Sequence, residues 1–139
     1  MAAFNKFNCF VADRANGLHN LGTDTLKVML SNTAPVATNT VYSNITEIAN
    51  GSGYTTGGIS LTGMTSSQTG GVYKLVSTLD PVWTATGAVG PFRYVVLYNN
   101  TSSTKPLIGW WDYGSSISLA SGETFTVDLD QTNGILQDT

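Results

Sequence analysis

Charge is what this sequence has least of. Of its 139 residues, six are Lys or Arg and nine are Asp or Glu, 11% in all, against about 25% in an ordinary globular chain. The four lysines and two arginines never adjoin. A nucleic-acid site needs a basic stripe to neutralise phosphates, so no nucleic-acid partner is expected. A net charge of −3 gives no attraction to an anionic membrane surface. No apolar run approaches the roughly 20 residues of a spanning helix, and residues 1–6 carry no apolar leader, so neither a membrane partner nor a signal peptide is expected.

Cysteine and histidine occur once each. Lone Cys9 excludes an intrachain disulfide and a Cys-based zinc site, and reads as a small buried hydrophobe. His19 lies in a loop-like stretch with no second His and no acidic cluster beside it. A metal or acid–base site needs several converging groups, so His19 reads as structural. Neither a Gly-x-Ser-x-Gly elbow nor a phosphate-binding loop is present. Gly51, Gly53, Gly57 and Gly58 do not follow a strand and open a helix, as a dinucleotide loop requires, so they read as backbone bends. No cofactor is expected, and the chain does not read as an enzyme.

Hydrophobic residues make up 41%, enough for one core and too many for a disordered tail. No linker, repeat or composition shift divides residues 1–139, which read as a single β-sandwich domain. A surface so poor in charge fits a protein packed against others.

Turn residues punctuate the chain every 8 to 12 residues, which predicts about eight short strands, at most one short helix, and a jelly-roll or Greek-key β-sandwich, all-β in class. Strands are expected over 7–12, 25–30, 59–62, 72–79, 82–85, 92–98, 107–113 and 124–130, with 135–136 closing an edge. Residues 92–98 are apolar on both faces except Arg93, as in a strand covered on both sides. In 124–130, Phe125, Val127 and Leu129 alternate with polar partners and should face inward. Residues 41–49 are the one helical candidate, with Ile45 and Ile48 spaced i, i+3. Residues 65–71 read as a polar turn.

Two features could carry a site. Asp128 and Asp130 share a strand face, where paired carboxylates bind cations or transfer protons, although exposed charges on a strand more often guard against unwanted pairing. Asp112 lies between Trp111 and Tyr113. The aromatic cluster is the stronger feature. Trp110, Trp111 and Tyr113 supply either core, a protein interface or a sugar-stacking platform. Alternation separates Trp110 from Trp111, so one of them faces the core. Phe4, Phe7 and Phe10 could form an N-terminal arm or an ordinary first strand.

Several strings resemble segments of small virion proteins of tailed phages: 41–58 (VYSNITEIANGSGYTTGG), 90–99 (GPFRYVVLYN), 107–114 (LIGWWDYG), 122–127 (GETFTV) and 133–136 (NGIL). Together they cover most of the chain in one order. The resemblance implies a capsid decoration, or cement, protein of a tailed bacteriophage, made in the host bacterial cytoplasm. Such proteins bind the outer surface of a shell of major capsid protein, often as a homodimer or homotrimer at symmetry axes, and several have jelly-roll or related β folds. No contact residues carry over from the resemblance. The candidate interface residues are Trp110, Trp111, Tyr113, Phe4 and Phe7. The alternatives are a carbohydrate-binding β-sandwich module, a tail or fibre component, and a hydrolase using Asp112 or the Asp128–Asp130 pair.

Overall fold

A computed structural model describes residues 3–138. Strands account for 44% and helix for 8%, and all strand pairs are antiparallel, so the all-β expectation holds. Three sheets form. The largest joins β1 (Phe4–Lys6), β8 (Leu107–Leu119), β7 (Val89–Asn99), β2 (Leu26–Ser31) and β3 (Ile59–Ser60), in that spatial order. A second joins β10 (Leu136–Asp138), β5 (Val72–Ser77) and β4 (Met64–Thr69), and a third pairs β6 (Val82–Thr84) with β9 (Thr124–Thr126).

The five-stranded sheet is buried on both faces, which is why β2 and β7 read as near-continuous apolar runs. Leu26, Val28 and Leu30 of β2 and Phe92, Val95 and Leu97 of β7 enter the larger core with Leu75, Trp83, Phe125 and Val127 from the smaller sheets. Met29, Val96, Tyr98 and Leu107 enter a second core on the opposite face, closed by Phe7 and Ile45. A register shift between Leu97 and Tyr98 lets Ile108 and Trp111 share one face while Leu107 and Trp110 take the other. The result is β-sandwich-like, with a second layer on its outer face.

Three expectations are corrected. Residues 7–12 are not a strand: α1 (Asn8–Ala15) occupies them. Phe7 and Phe10, three apart, are both fully buried, while Val11 is 49% exposed. A strand would have put Phe7, Cys9 and Val11 on one face, so the helical spacing wins. Residues 41–49 hold only a 3-10 turn (Tyr42–Asn44). The Asn44 amide oxygen accepts from the N–H groups of Thr40 (3.0 Å) and Val41 (3.1 Å) and closes the turn. Beyond it the β-branched Ile45, Thr46 and Ile48 favour extended backbone. That segment lies along β2: Glu47 bridges Ser31, and the Ile48 N–H donates to Leu30 O at 3.1 Å. Residues 65–71 are mostly strand β4, not a turn. Only Gly70 and Gly71 turn, at φ +58° and +82°, the left-handed pair that matches the twist of a two-residue hairpin.

The 124–130 expectation divides. Phe125, Val127 and Leu129 are buried and Thr124, Thr126 and Asp128 exposed, as expected. Only the first three residues pair with another strand.

Candidate functional site

The aromatic residues singled out from the sequence do not form one platform. Trp111 and Phe7 are core residues, 4% and 0% exposed, and Trp110, Tyr113 and Phe4 are half-buried. Phe4 packs on Trp111 at 5.0 Å and Tyr113 on Phe125 at 5.2 Å in the larger core, while Trp110 packs on Phe7 at 4.6 Å across the sheet. Close approach fixes β1 on β8: a Cβ on Gly109 would lie 2.3 Å from Phe4 Cζ. What these residues can offer a partner is therefore the outward parts of Trp110, Tyr113 and Phe4, on two faces.

The acids are committed locally. Asp112 accepts from Arg93 Nε at 2.8 Å and Nη2 at 3.1 Å, and from the Gly114 N–H at 2.8 Å. That guanidinium, with the backbone bond, holds the Asp112 carboxyl below the usual carboxylate range. Asp130 accepts from the N–H groups of Thr132 (2.9 Å) and Asn133 (2.8 Å) and from Asn133 Nδ2 (3.0 Å), which shapes the turn into β10. Asp128 is exposed beyond the end of β9 and does not share these partners, so the two carboxylates expected on one strand face lie instead in the irregular segment that follows it. Cys9 is partly buried, and burial with nearby Asp13 pushes its thiol pKa up, which suppresses the reactive thiolate.

One cluster escaped sequence reasoning. Glu47 accepts hydrogen bonds from the Tyr42 and Tyr54 hydroxyls, one on each carboxylate oxygen, and from the Gly57 N–H at 2.6 Å. The Tyr54 hydroxyl also accepts from the Leu30 N–H at 3.1 Å, and the Tyr98 hydroxyl donates to Gly57 O at 2.6 Å. Lys105 Nζ stands 5.1 Å over the Tyr42 ring. One carboxylate thus pins the long connection between β2 and β3 to the end of the central sheet. The only signal in the sequence is isolation: Glu47 is the sole charged residue between Lys27 and Lys74.

This cluster sets an alkaline limit. Burial, then the charge of Glu47, pushes Tyr98 up to about 12, and burial followed by the hydrogen bond to Glu47 raises Tyr42 and Tyr54 as well. Folding favours the neutral phenols, so their contribution is whole below the unfolded value of about 10. It is lost as pH rises through about 12. A pH titration followed by tyrosinate absorbance and near-ultraviolet circular dichroism should show these three rings ionising together with loss of tertiary structure. Ionisation near the ordinary value in a folded protein would contradict the burial.

The surface is more suggestive than any cleft. In β4, Thr65, Ser66, Ser67, Gln68 and Thr69 are all exposed and none is charged. β4 pairs with β5 on one side, without register shifts, and among the described residues no strand pairs with its other edge. Leu79 (58% exposed) and Val82 (47%) leave apolar surface beside the Asp80-Pro81 break. A hollow of about 670 Å³, of mixed polar and apolar lining, lies over the outer face of β5 and β4, among Ser67, Thr69, Val72, Lys74, Val76 and Asn133. Among the described residues no group of three or more His, Cys, Asp or Glu is placed to hold a metal ion, and no helix is long and apolar enough to cross a membrane. No protein-family model, curated protein sequence or solved structure matches this chain.

Proposed function

We propose that this protein is a structural virion component of a tailed phage, which pairs with a second copy through β4 and binds the outer surface of the capsid. The observation that carries the reading is the open β4 edge. Sheet edges in soluble proteins are normally blunted by Lys, Pro, a bulge or a covering loop, because an open ladder recruits another strand. β4 has six residues, no charge, no proline and no register shift. Antiparallel pairing of two β4 strands about a twofold axis satisfies both edges and builds one continuous sheet across a homodimer. Two further features support the reading. The central sheet, covered on both faces, supplies a stiff support, and the strings that resemble virion proteins include β7, the first half of β8 and the Glu47 clamp. Many copies on a lattice make individually weak contacts to major capsid protein effective. A sugar platform has less support, since Trp111 is in the core and Trp110 and Tyr113 lie on opposite faces.

The test is co-sedimentation with capsids of the same phage that lack this protein, together with the oligomeric state in solution. Saturable binding, and a dimer that Lys at both Thr65 and Thr69 converts to monomer, are the expected results. In a twofold pairing centred on Ser67, those two lysines face each other, and like charges directly opposite destabilise a ladder. A protein that stays monomeric and free of capsids, or that tracks with tails, overturns the decoration reading.

A further inference from the structure

Asn is followed by Gly at three places in the chain, Asn16-Gly17, Asn50-Gly51 and Asn133-Gly134, and all three asparagines are exposed. Such a pair can rearrange without a catalyst, because glycine carries no side chain to shield its backbone nitrogen from the asparagine amide carbon. The fold treats the three differently. Asn50 Oδ1 accepts from the Thr56 N–H at 2.8 Å, and the Gly51 N–H donates to Tyr54 O at 2.7 Å. Both bonds lie in the connection that Glu47 clamps through the buried Tyr54. Asn133 Nδ2 donates to Asp130 Oδ2 at 3.0 Å and its N–H to Asp130 Oδ1 at 2.8 Å, while the Gly134 N–H donates to Asp130 O at 3.0 Å. A Cβ on Gly134 would lie 2.7 Å from Leu75 O, so that turn is pressed against β5.

Asn16 has none of this support. It caps the C-terminus of α1, and among the described residues its side-chain amide has no hydrogen-bond partner. The Gly17 N–H donates to Arg14 O at 3.2 Å, the longest of the three glycine bonds. A Cβ built on Gly17 would meet nothing within 4 Å. Ala15, Asn16, Gly17 and Leu18 are consecutive exposed residues. A helix end of this kind frays at little cost, whereas a clamped loop opens only with its surroundings. Fraying frees the Gly17 nitrogen and lets the Asn16 ψ turn away from its 4°, as ring closure requires.

We propose that Asn16 is a site of spontaneous deamidation in the folded protein, and that the fold protects Asn50 and Asn133 from the same reaction. The Gly17 nitrogen gives up its proton and attacks Asn16 Cγ. A new C–N bond closes a five-membered succinimide, and the side-chain nitrogen leaves as ammonia with that proton. Water then adds to either ring carbonyl and opens the ring to aspartate or isoaspartate. The product adds one negative charge to a net of −3. That charge stands at the negative end of the helix dipole, where it is unfavourable. Isoaspartate also lengthens the backbone between α1 and His19, which packs on Phe10 at 5.2 Å, so modified molecules hold α1 less firmly. The modification does not depend on the β4 edge pairing.

The experiment incubates the full-length protein in mildly alkaline buffer, with and without denaturing urea, and follows each asparagine by mass spectrometry of tryptic peptides. Asn16 falls in the peptide 15–27. In the folded protein Asn50 and Asn133 should react at least about fivefold more slowly than Asn16, the effect on a rate of one ordinary hydrogen bond that must first break. In urea, where the clamps are gone, the three rates should converge. Asn16→Gln, whose longer side chain cyclises far more slowly, should remove the first acidic species to appear on ion exchange. The comparison of the three sites uses the unsubstituted protein and stands whatever the variant does. An Asn16 that stays intact, an Asn50 or Asn133 that reacts as fast as Asn16 in the folded protein, or an early acidic species that persists in Asn16→Gln overturns the proposal.

Discussion

Truncating Glu47 to Ala should destabilise the protein by about 2–4 kcal/mol, because hydrogen bonds to a charged group are each worth about 1.5–3 kcal/mol and do not add fully. Three donors lose one acceptor: the Tyr42 hydroxyl, the Gly57 N–H and the fully buried Tyr54 hydroxyl. The first two can turn to water, whereas Tyr54 cannot without opening the connection. For a domain of this size the loss corresponds to a fall in Tm of about 6–15 °C, read by thermal circular dichroism. Glu47→Gln should recover part of the loss, since its carbonyl still accepts while its amide confronts a donor. Combining Glu47→Ala with Tyr54→Phe should cost much less than the sum of the two singles, because both remove the same bond. A Tm unchanged in Glu47→Ala would mean that the carboxylate holds nothing together.

Replacing Gly58 by Ala should be costlier still. Gly58 has φ +82°, and a Cβ there would lie 1.8 Å from Val28 O and 2.7 Å from Val28 C. Both atoms belong to the backbone of β2, an inner strand of the five-stranded sheet, so no side chain can swing aside to make room. Either the 55–58 bend lifts off and β3 loses its pairing, or β2 shifts against β7. We expect a loss of at least about 3 kcal/mol, within the range for strained backbone joined to a core disruption. Gly17 is the control. It has φ +80° but open space around its would-be Cβ, so Gly17→Ala should cost only the left-handed backbone preference, about 1–2 kcal/mol. Urea unfolding of the two variants separates close approach from backbone strain, and equal losses would discount the close approach.

The strands that face apolar surroundings on both sides were the most legible part of the sequence. In β2, β7 and β8 composition alone distinguishes them, since few other settings tolerate Tyr-Val-Val-Leu-Tyr. Alternation correctly oriented Phe125, Val127 and Leu129 but could not show that their partner strand ends after Thr126. The errors fell where polar residues carry the structure. β4 has no inward stripe, because its stability comes from one ladder and a double-glycine turn, and a Ser-Thr-Gln string looks the same in a turn. The 41–49 segment has a helix-like spacing of isoleucines, overridden by the Asn44 side chain and the pairing with Ser31. α1 was marked by the three-residue spacing of Phe7 and Phe10, a signal outweighed by their β propensity. Glu47 was illegible because Tyr42, Tyr54 and Tyr98 arrive from separate stretches of chain. The burial of His19 was illegible for the same reason: Asn99, whose Nδ2 lies 3.0 Å from the His19 Nδ1, is distant in sequence.

The placement of β1 beside β8 has a consequence for biosynthesis. Asn5 and Trp110, which face each other across that pair, are 105 residues apart. At ribosomal rates of about 5–20 residues per second, the first strand waits roughly 5–20 s for its neighbour to be made. β2 waits about two-thirds as long for β7, its partner in the centre of the sheet. Until then the nascent chain carries Phe4, Phe7, Met29 and Leu30 with nothing to cover them, which makes it a natural client for holding chaperones. The sheet therefore closes late and nearly all at once.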